Sequence, residues 1–218
     1  MGVRADGTKE LIAVADGYRE STKSWSEVQR DLSRRGLQAP VLAIGDGALG
    51  FWAAVRDVWP ETSEQRCWVH KLANVLDKLP KRIQPRAKRA LHEIMNAESK
   101  KDALDVVQEF EAQFSATYPK AVACLLKDSD ALLSFYDFPA DHWRHIRTTN
   151  AIESSFATVR LRQRITKGAG TRLRALTMAF KLLEMAQKRW RRINGHSLLG
   201  DVVERVTYVD GIKLEEAA

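Results

Sequence analysis

A short apolar run at residues 40–44 (PVLAI) constrains the fold more than any other feature of this chain. It contains no polar position, whereas a strand with one face in water would alternate apolar and polar residues. Such a run predicts a strand that is covered on both faces, as in the parallel sheets of α/β proteins. Gly45-Asp46-Gly47 ends the run, and a helical pattern follows up to Pro60. Asp46 is therefore predicted at the carboxyl end of a strand, where open α/β sheets hold their functional sites.

The residues on either side of this run predict further elements of an α/β fold. Residues 9–15 are expected as a strand that follows a turn at residues 6–7 (Asp-Gly). Ser24 and Glu27 have the spacing of a capping box, which predicts the start of a helix. Residues 63–69 are a further strand candidate.

From residue 71 to residue 143 the pattern becomes purely helical. Apolar residues recur at three- and four-residue spacing, and no strand signal interrupts them. Pro85, Ser99 and Pro119 stand where individual helices would begin. We interpret this block as an all-helical insertion in the α/β fold, since an insertion whose ends lie close together costs little closure entropy.

The stretch at residues 147–164 (RTTNAIESSFATVRLRQR) places one acidic residue, Glu153, in a strongly basic surround. Its apolar spacing predicts a helix that begins near Thr149 or Asn150, either of which can cap it. Glu153 then lies in the first turn, where an acid favours the positive end of the helix. The alternative interpretation is a metal ligand beside a track of cations that contact phosphates.

The charge of the chain is concentrated in its C-terminal half. The formal net charge is +7 over 218 residues, and residues 144–192 contain thirteen Lys and Arg against two acids. This asymmetry favours a polyanionic partner. A last long helix is predicted from Thr171, with Leu173, Phe180 and Leu183 on its buried face.

Several classes of protein are disfavoured by the composition. Two cysteines, Cys67 and Cys124, do not make a disulfide framework. No apolar run approaches the length of a membrane span, and the polar opening residues carry no signal peptide. We expect a cytoplasmic protein from a reducing compartment that has no membrane partner.

Asp46 and Glu153 are the two carboxylates that could carry chemistry. They are 107 residues apart, and the helical block accounts for most of that interval. If the strand end and the helix face meet, two carboxylates suffice to hold Mg²⁺ or Mn²⁺, which prefer oxygen ligands. Divalent cations of this kind support phosphodiester chemistry by activating the attacking oxygen and stabilising the leaving oxygen.

Five stretches carry a resemblance to a known family: ADGYRES at 15–21, IGDGALGFWAAV at 44–55, QRCWVHKLANVLDKLP at 65–80, FYDFPADHWRHIRTTNAIESSFATVRLRQR at 135–164 and KRWRR at 188–192. With these stretches the chain closely resembles the mutator-type transposases of bacterial insertion sequences, which belong to the DDE superfamily. The resemblance covers nearly the whole chain. It implies an α/β fold with a ribonuclease H-like core and an all-helical insertion.

The resemblance also implies an activity, which is metal-dependent cleavage and strand transfer of DNA with Mg²⁺ or Mn²⁺ as cofactor. Asp46 would be the second catalytic aspartate and Glu153 the catalytic glutamate, and both would bind metal. The implied partners are double-stranded DNA, both element ends and target, and further copies of the chain in a homo-oligomer. The expected location is the bacterial cytoplasm, in association with the nucleoid.

Other residues are expected to assist this chemistry. The pair Cys67 and His70 matches a signature of the family, and together with Asn150 it is expected to support the active site. DNA contacts are expected from basic residues on both sides of Glu153: Arg147, Arg160, Arg162, Arg164, Lys167 and Arg172.

One departure from the family pattern concerns the first catalytic aspartate. In the family this residue lies on the strand before the hairpin that begins this chain, and neither Asp6 nor Asp16 matches it. We therefore expect a truncated transposase whose core lacks its first strand and which is inactive alone. The alternatives are a non-catalytic DNA-binding remnant that modulates the full-length enzyme, and a small nuclease. The expected organisation is the N-terminal part of the core at 1–70, the helical insertion at 71–143, core helices with the glutamate and a DNA-facing surface at 144–195, and a tail at 196–218.

Three features keep alternative interpretations open. Cys67 and His70 could bind zinc together with His142 and His145, or could be polar packing beneath the active site. Trp143 and Trp190 could stack on a displaced base or belong to the core. The basic residues between 78 and 89 form either a DNA-facing patch or a solvated face.

Overall fold

The computed structural model describes residues 1–16, 21–168 and 170–214. The fold is mixed α/β and mostly helical. The chain forms two compact units, each assembled from separated segments. The first comprises Met1–Val41, Ala48–Thr62 and Thr149–Arg205, and the second comprises Leu42–Gly47, Ser63–Thr148 and Val206–Ala218. Among the described residues, no helix has both the length and the apolar character needed to cross a membrane.

The first unit consists of one small hairpin and five helices in its described part. Strands β1 and β2 are antiparallel, with Gly2 opposite Glu10 and Val3 opposite Lys9. The elements are β1 (Gly2–Val3), β2 (Lys9–Glu10), α1 (Thr22–Arg34), α2 (Leu49–Val58), α9 (Asn150–Ile165), α10 (Arg172–Gln187) and α11 (Leu199–Val203), with a 3₁₀ turn at His196–Leu198.

The predicted strand at residues 9–15 is much shorter in the structure. Only Lys9 and Glu10 pair with β1, although the turn before them is present as predicted and the Asp6 carboxylate accepts from the Thr8 amide at 2.9 Å. The Leu11 amide donates to the Gln187 side chain at 2.6 Å, so a side chain of α10 takes the place of a neighbouring strand.

Helix α1 packs against α2 through aromatic and apolar side chains. Its N-cap is Ser21, whose hydroxyl accepts from the Ser24 amide at 3.3 Å. The helix therefore begins one turn earlier than predicted, because Ser21, and not Ser24, accepts from a free amide at the helix start. Trp25 and Phe51 meet edge to face at 5.1 Å.

The second unit holds a parallel strand pair, six helices and a C-terminal hairpin in its described part. The elements are β3 (Leu42–Gly45), β4 (Ser63–Arg66), α3 (Trp68–Leu76), α4 (Gln84–Asn96), α5 (Lys100–Phe114), α6 (Pro119–Leu126), α7 (Ser129–Leu133), α8 (Trp143–Ile146), β5 (Tyr208–Val209) and β6 (Ile212–Lys213), with 3₁₀ turns at Ser134–Asp137 and Ala140–His142. All residues from 71 to 143 are described and none lies in a strand, which confirms the helical block.

Strands β3 and β4 are parallel and in register from Leu42 opposite Ser63 to Gly45 opposite Arg66. The strand predicted at 40–44 exists but is shifted towards its acidic turn. Its first three residues are half-buried rather than covered on both faces, because β4 is its only strand neighbour among the described residues. The candidate at 63–69 ends at Arg66, since α3 begins at Trp68.

The helices of the second unit enclose a single apolar cluster. Trp68, Leu91, Phe110 and Phe135 are all 1% exposed or less within it. Phe110 stacks on Phe114 at 4.5 Å between ring centroids. The core of this unit is therefore built by residues that the helical periodicity predicted.

The C-terminal hairpin β5–β6 packs on the helices of this unit. The Gly211 amide donates to the Tyr136 carbonyl at 3.1 Å, and the Asp210 carboxylate accepts from the Lys100 amide at 2.7 Å. Gly211 has φ +80°, and a Cβ there would lie 2.6 Å from the Ala140 side chain. Residues 215–218, which were expected to end the tail, lie outside the described residues.

A core substitution tests whether the helical unit depends on this cluster. Phe110→Ala should lower the free energy of unfolding by about 3–5 kcal/mol, because it removes a buried ring and leaves a cavity. Leu104→Ala on the same helix is the control, since Leu104 is 42% exposed. Urea denaturation of both variants should show a small loss for Leu104→Ala; equal losses would contradict the assignment of Phe110 to the core.

Candidate active site

Asp46 lies in the turn that follows β3, at the carboxyl end of the parallel strand pair. This confirms the position predicted from the sequence. The Cys67 amide donates to the Gly45 carbonyl at 2.8 Å, which continues the strand pairing one residue beyond the sheet. Asp46 and Cys67 therefore follow neighbouring strand ends at the same edge, with Asp46 exposed and Cys67 buried.

The turn that presents Asp46 is shaped around a buried arginine. Arg66 is 4% exposed, and its guanidinium lies against Gly47 and within 3.5 Å of the Gly45 carbonyl oxygen. Gly47 has φ +96°, and a Cβ at this position would lie 2.3 Å from the guanidinium carbon. Glycine is thus required at position 47 both by backbone conformation and by the side chain beneath it.

Arg66 shares its counter-ion with a second buried cation. The Asp128 carboxylate lies 3.3 Å from Arg66 Nε and 2.6 Å from Lys71 Nζ. The side chains of Arg66 and Lys71 are only 5% and 2% exposed, and Lys71 also donates to the Cys124 carbonyl at 2.6 Å. The three residues, Arg66, Lys71 and Asp128, form what we call the buried charge cluster.

The pKa of Asp128 reflects this setting. Burial alone would raise it, but the hydrogen bonds and charges of Lys71 and Arg66 outweigh burial and hold the pKa below its usual range. Asp128 is therefore an ionised carboxylate that neutralises cations which could not otherwise be buried.

Sequence reasoning did not identify the buried charge cluster. One signal was present: Lys71 lies three residues after Trp68 and directly before Leu72, on the apolar face of α3. A cation at such a position needs a buried partner. The partner, Asp128, lies 57 residues further along the chain, so no local pattern could indicate it.

Cys67 and His70 form a close pair at the start of α3. His70 Nδ1 lies 3.2 Å from Cys67 Sγ, because the two side chains are one helical turn apart. No group of ligating side chains in the described part of the chain joins this pair to His142 or His145, so the arrangement offers no support for the four-ligand zinc site. Cys67 and Cys124, both in the described part of the chain, do not form a disulfide.

Glu153 lies in the first turn of α9 and its carboxylate is held by a neighbouring hydroxyl. The Thr149 hydroxyl donates to Glu153 Oε1 at 2.5 Å, and the Glu153 amide donates to the Thr149 carbonyl at 3.1 Å. Thr149 is the N-cap residue, as one of the two alternatives predicted, but its side chain binds the carboxylate and makes no capping hydrogen bond. Asn150 is the first residue of the helix and is exposed.

The basic residues that follow Glu153 are exposed along α9 and the loop after it: Arg160, Arg162, Arg164 and Lys167. Arg160 also donates to the Glu153 carbonyl at 3.4 Å. Val159 and Ser155 are the buried residues of this helix. Arg160 and Arg164 lie on the opposite side of the helix from Ser155 and Val159, and Arg162, one turn after Val159, is exposed as well, so these cations are accessible to a polyanion.

Helix α10 departs from its predicted burial pattern. Thr171 caps it as predicted, accepting from the Arg174 amide at 3.3 Å. Leu183 is buried, but Leu173 is 73% and Phe180 is 42% exposed, so both were wrongly placed in the core. Arg172 forms an ion pair with Asp16.

Arg147 belongs to the second unit and is engaged there. Its Nη1 donates to the Met95 carbonyl at 2.5 Å, and its guanidinium lies 5.3 Å from the centroid of the Phe135 ring. Burial lowers the pKa of Arg147. Trp143 donates to the Phe138 carbonyl at 2.9 Å and contacts the same aromatic group, which favours the core interpretation of this tryptophan.

Comparison with known proteins identifies the class. A family profile described as "Transposase, Mutator family" matches residues 1–192. The chain therefore belongs to the Mutator family of transposases. Among its relatives, the transposase for insertion sequence element IS6120 of Mycolicibacterium smegmatis is 57% identical over 99% of this chain and 67% of that protein. The transposase for IST2 of Acidithiobacillus ferrooxidans is 54% identical over 97% of this chain and 72% of that protein.

Removal of the shared carboxylate tests the buried charge cluster. Asp128→Asn should cost about 3 kcal/mol of unfolding free energy, because two buried cations lose their counter-ion. Asp130→Asn, two residues away and exposed, is the matched control. The pKa of Asp128 is lower in the folded chain than in the unfolded chain. Its contribution to the free energy of unfolding is therefore fully present above about pH 4, and it is lost as the pH falls through the pKa of the folded state. The difference between Asp128→Asn and the unaltered chain should therefore shrink in acid; a difference that is constant down to pH 2 would contradict the assignment.

A pair of glycine substitutions tests the fit of Arg66 beneath the turn. Gly47 and Gly36 have nearly equal φ values of +96° and +94°, but a Cβ at Gly36 would meet nothing within 4 Å. Both alanine variants carry the backbone cost of a positive φ, about 1 kcal/mol. Only Gly47→Ala must also displace Arg66, so we expect it to lose about 1–3 kcal/mol more in thermal or urea unfolding. Equal losses would show that Arg66 does not constrain the turn.

Proposed function

We propose that this chain acts in DNA transposition of a bacterial insertion element, as a DDE-type transposase that cleaves a phosphodiester and transfers the DNA strand. The observation that carries the proposal is Asp46, an exposed carboxylate on a glycine turn at the carboxyl end of a parallel strand pair. Membership of the Mutator family and the identity to two insertion-sequence transposases support it. In this proposal β3 and β4 are strands of a ribonuclease H-like core.

The donor atoms fit the proposed cofactor. Asp46 and Glu153 offer carboxylate oxygens, which are hard ligands of the type that Mg²⁺ and Mn²⁺ prefer. When bound, such an ion activates the attacking oxygen and stabilises the leaving oxygen of a phosphodiester. Asp46 and Glu153 are the residues that would hold it.

The surroundings of each carboxylate support its proposed role. Arg66 fixes the turn of Asp46 from below, so the carboxylate is presented by a backbone with little freedom. The Thr149 hydroxyl orients the Glu153 carboxylate through a 2.5 Å hydrogen bond. Cys67 and His70, which follow the neighbouring strand, and Asn150, which precedes Glu153, would support the same site.

The DNA would be held by the cations of α9 and the loop after it. Arg160, Arg162, Arg164 and Lys167 are exposed and suited to neutralise backbone phosphates on either side of the cut. Arg172 would join them through its exposed face. Arg147 is proposed with them from the sequence, although its guanidinium already contacts Met95 and Phe135. The partners are duplex element ends and target DNA, acted on by a homo-oligomer.

The proposal predicts that each carboxylate is needed for metal binding and cleavage but not for DNA binding. Asp46→Asn and Glu153→Gln should each weaken Mn²⁺ binding at least tenfold, since even second-sphere changes cost that much. Electron paramagnetic resonance of free Mn²⁺ measures the affinity without reference to activity. Cleavage and strand transfer of duplexes that carry the element ends, in Mg²⁺ or Mn²⁺, should fall below detection.

The controls for this experiment are Glu184→Gln on α10 and a binding assay on the same duplexes. The Glu184 side chain is 46% exposed and pairs with Lys181 at 2.8 Å, so Glu184→Gln should have no effect on either measurement. Retention of strand transfer by Glu153→Gln would refute its assignment. Salt-sensitive binding of end DNA without any metal-dependent cleavage by the unaltered chain would favour the second function, a DNA-binding modulator of a complete transposase.

A further inference from the structure

We infer that the helical block carries a DNA-contacting surface of its own, in addition to the cations of α9. It lies on the connection between α3 and α4 and on the first turns of α4, and its cations are Lys78, Lys81, Arg82, Arg86, Lys88 and Arg89. We call these six residues the insertion cation surface. The inference rests on the proposed function and extends it to a part of the chain outside the candidate active site.

The charge of this surface is strongly positive. Residues 78–92 contain six Lys and Arg and no Asp or Glu, and Asp77 and Glu93 flank them. All six cations are exposed, and none of them takes part in an ion pair with any residue that the structure describes. Elsewhere on the same unit Lys100 does have an acidic partner, Asp137 at 3.1 Å. Six positive charges on twelve residues create an attractive potential for a polyanion.

The backbone that carries these cations is held in place. The Gln84 side chain donates to the carbonyls of Leu76 and Leu79 at 3.0 and 3.1 Å, and the Ile83 amide donates to the Pro80 carbonyl at 2.8 Å. Leu79 is buried and Ile83 packs on the apolar cluster. The surface is therefore preorganised, so binding would not have to order a flexible loop.

The remaining side chains indicate which kind of polyanion fits. In residues 78–89 Leu79, Ile83 and Ala87 are buried or half-buried, and the exposed apolar residues are Pro80 and Pro85. The surface thus lacks an exposed aromatic side chain or a long aliphatic one, the kind of anchor around which protein interfaces are built. Lysines and arginines without such an anchor suit the phosphates of a nucleic-acid backbone, and they predict binding that does not depend on base sequence.

A pair of matched triple variants tests the inference on the full chain. Lys81→Gln, Arg82→Gln and Arg89→Gln together remove three charges from the insertion cation surface. Lys101→Gln, Lys120→Gln and Lys127→Gln remove three exposed charges from α5, α6 and the residue after α6 in the same unit, and none of these lysines has an ion pair with a described residue. Both variants change the net charge equally and neither alters a buried side chain.

The measurement is the affinity for a duplex of random sequence as a function of salt concentration. Each lost phosphate contact reduces the magnitude of the slope of log K against log salt by about 0.9. The magnitude of the slope should therefore fall by up to about 2.7 in the insertion variant and by close to zero in the control variant. Affinity at low salt should fall at least tenfold in the insertion variant. Circular dichroism and thermal unfolding should be unchanged in both.

The outcomes separate this inference from the proposed function. If the unaltered chain binds duplex DNA but both triple variants keep its slope, the insertion cation surface does not contact DNA and the inference is overturned alone. If both variants lose slope equally, the effect is one of net charge and the inference is likewise overturned. If the unaltered chain does not bind duplex DNA at all, the proposed function fails, and this inference fails with it. If the insertion variant keeps its affinity for duplex DNA but loses the binding of the unaltered chain to a polyglutamate column, the partner is an acidic protein. That result would overturn the assignment to nucleic acid.

Discussion

The second unit depends on a single carboxylate, Asp128, that lies between two buried cations. Arg66 at the end of β4 and Lys71 on α3 are both almost fully buried, and burial of a charge is costly unless it is paired. Asp128 lies between α6 and α7 and meets both cations with one oxygen. A strand end, a helix and a helical connection are thereby fixed to one another by electrostatic complementarity and not by apolar contact alone.

The consequences of that interaction extend to the candidate active site. Arg66, held by Asp128, occupies the space beside Gly47, so a Cβ at that position would have to displace its guanidinium. The turn that follows β3 is therefore narrow and defined, and Asp46 is the exposed carboxylate that it presents. Glu153 is positioned by a different device, a hydrogen bond from the threonine at the helix N-cap. One carboxylate is positioned through its backbone and the other through its side chain.

Local patterns predicted those features that are encoded within a few residues. The acidic turn at Asp46, the helical secondary structure of residues 71–143 and the cap at Thr171 all follow from spacing and residue type, and the structure confirms them. Strand lengths could not be predicted from local patterns, because they depend on which neighbours the backbone meets. The Leu11 amide, for example, donates to the Gln187 side chain instead of to a neighbouring strand. The exposed positions Leu173 and Phe180 show the same limit, since periodicity finds an apolar face without finding what covers it. The pairing of Lys71 with Asp128 joins segments that are distant in the sequence. Its only trace in the sequence is a lysine on the apolar face of a predicted helix.

The hairpin β5–β6 has a consequence for how the chain is made. Its contacts to Tyr136 and Lys100 belong to a unit whose other segments begin at Leu42. During synthesis from the N-terminus, the helices of that unit leave the ribosome well before the residues that close over Ala140 and Trp143. The last step in assembling this unit therefore waits until the hairpin residues have left the ribosome, and until then the surface under the hairpin is open to solvent and to chaperones.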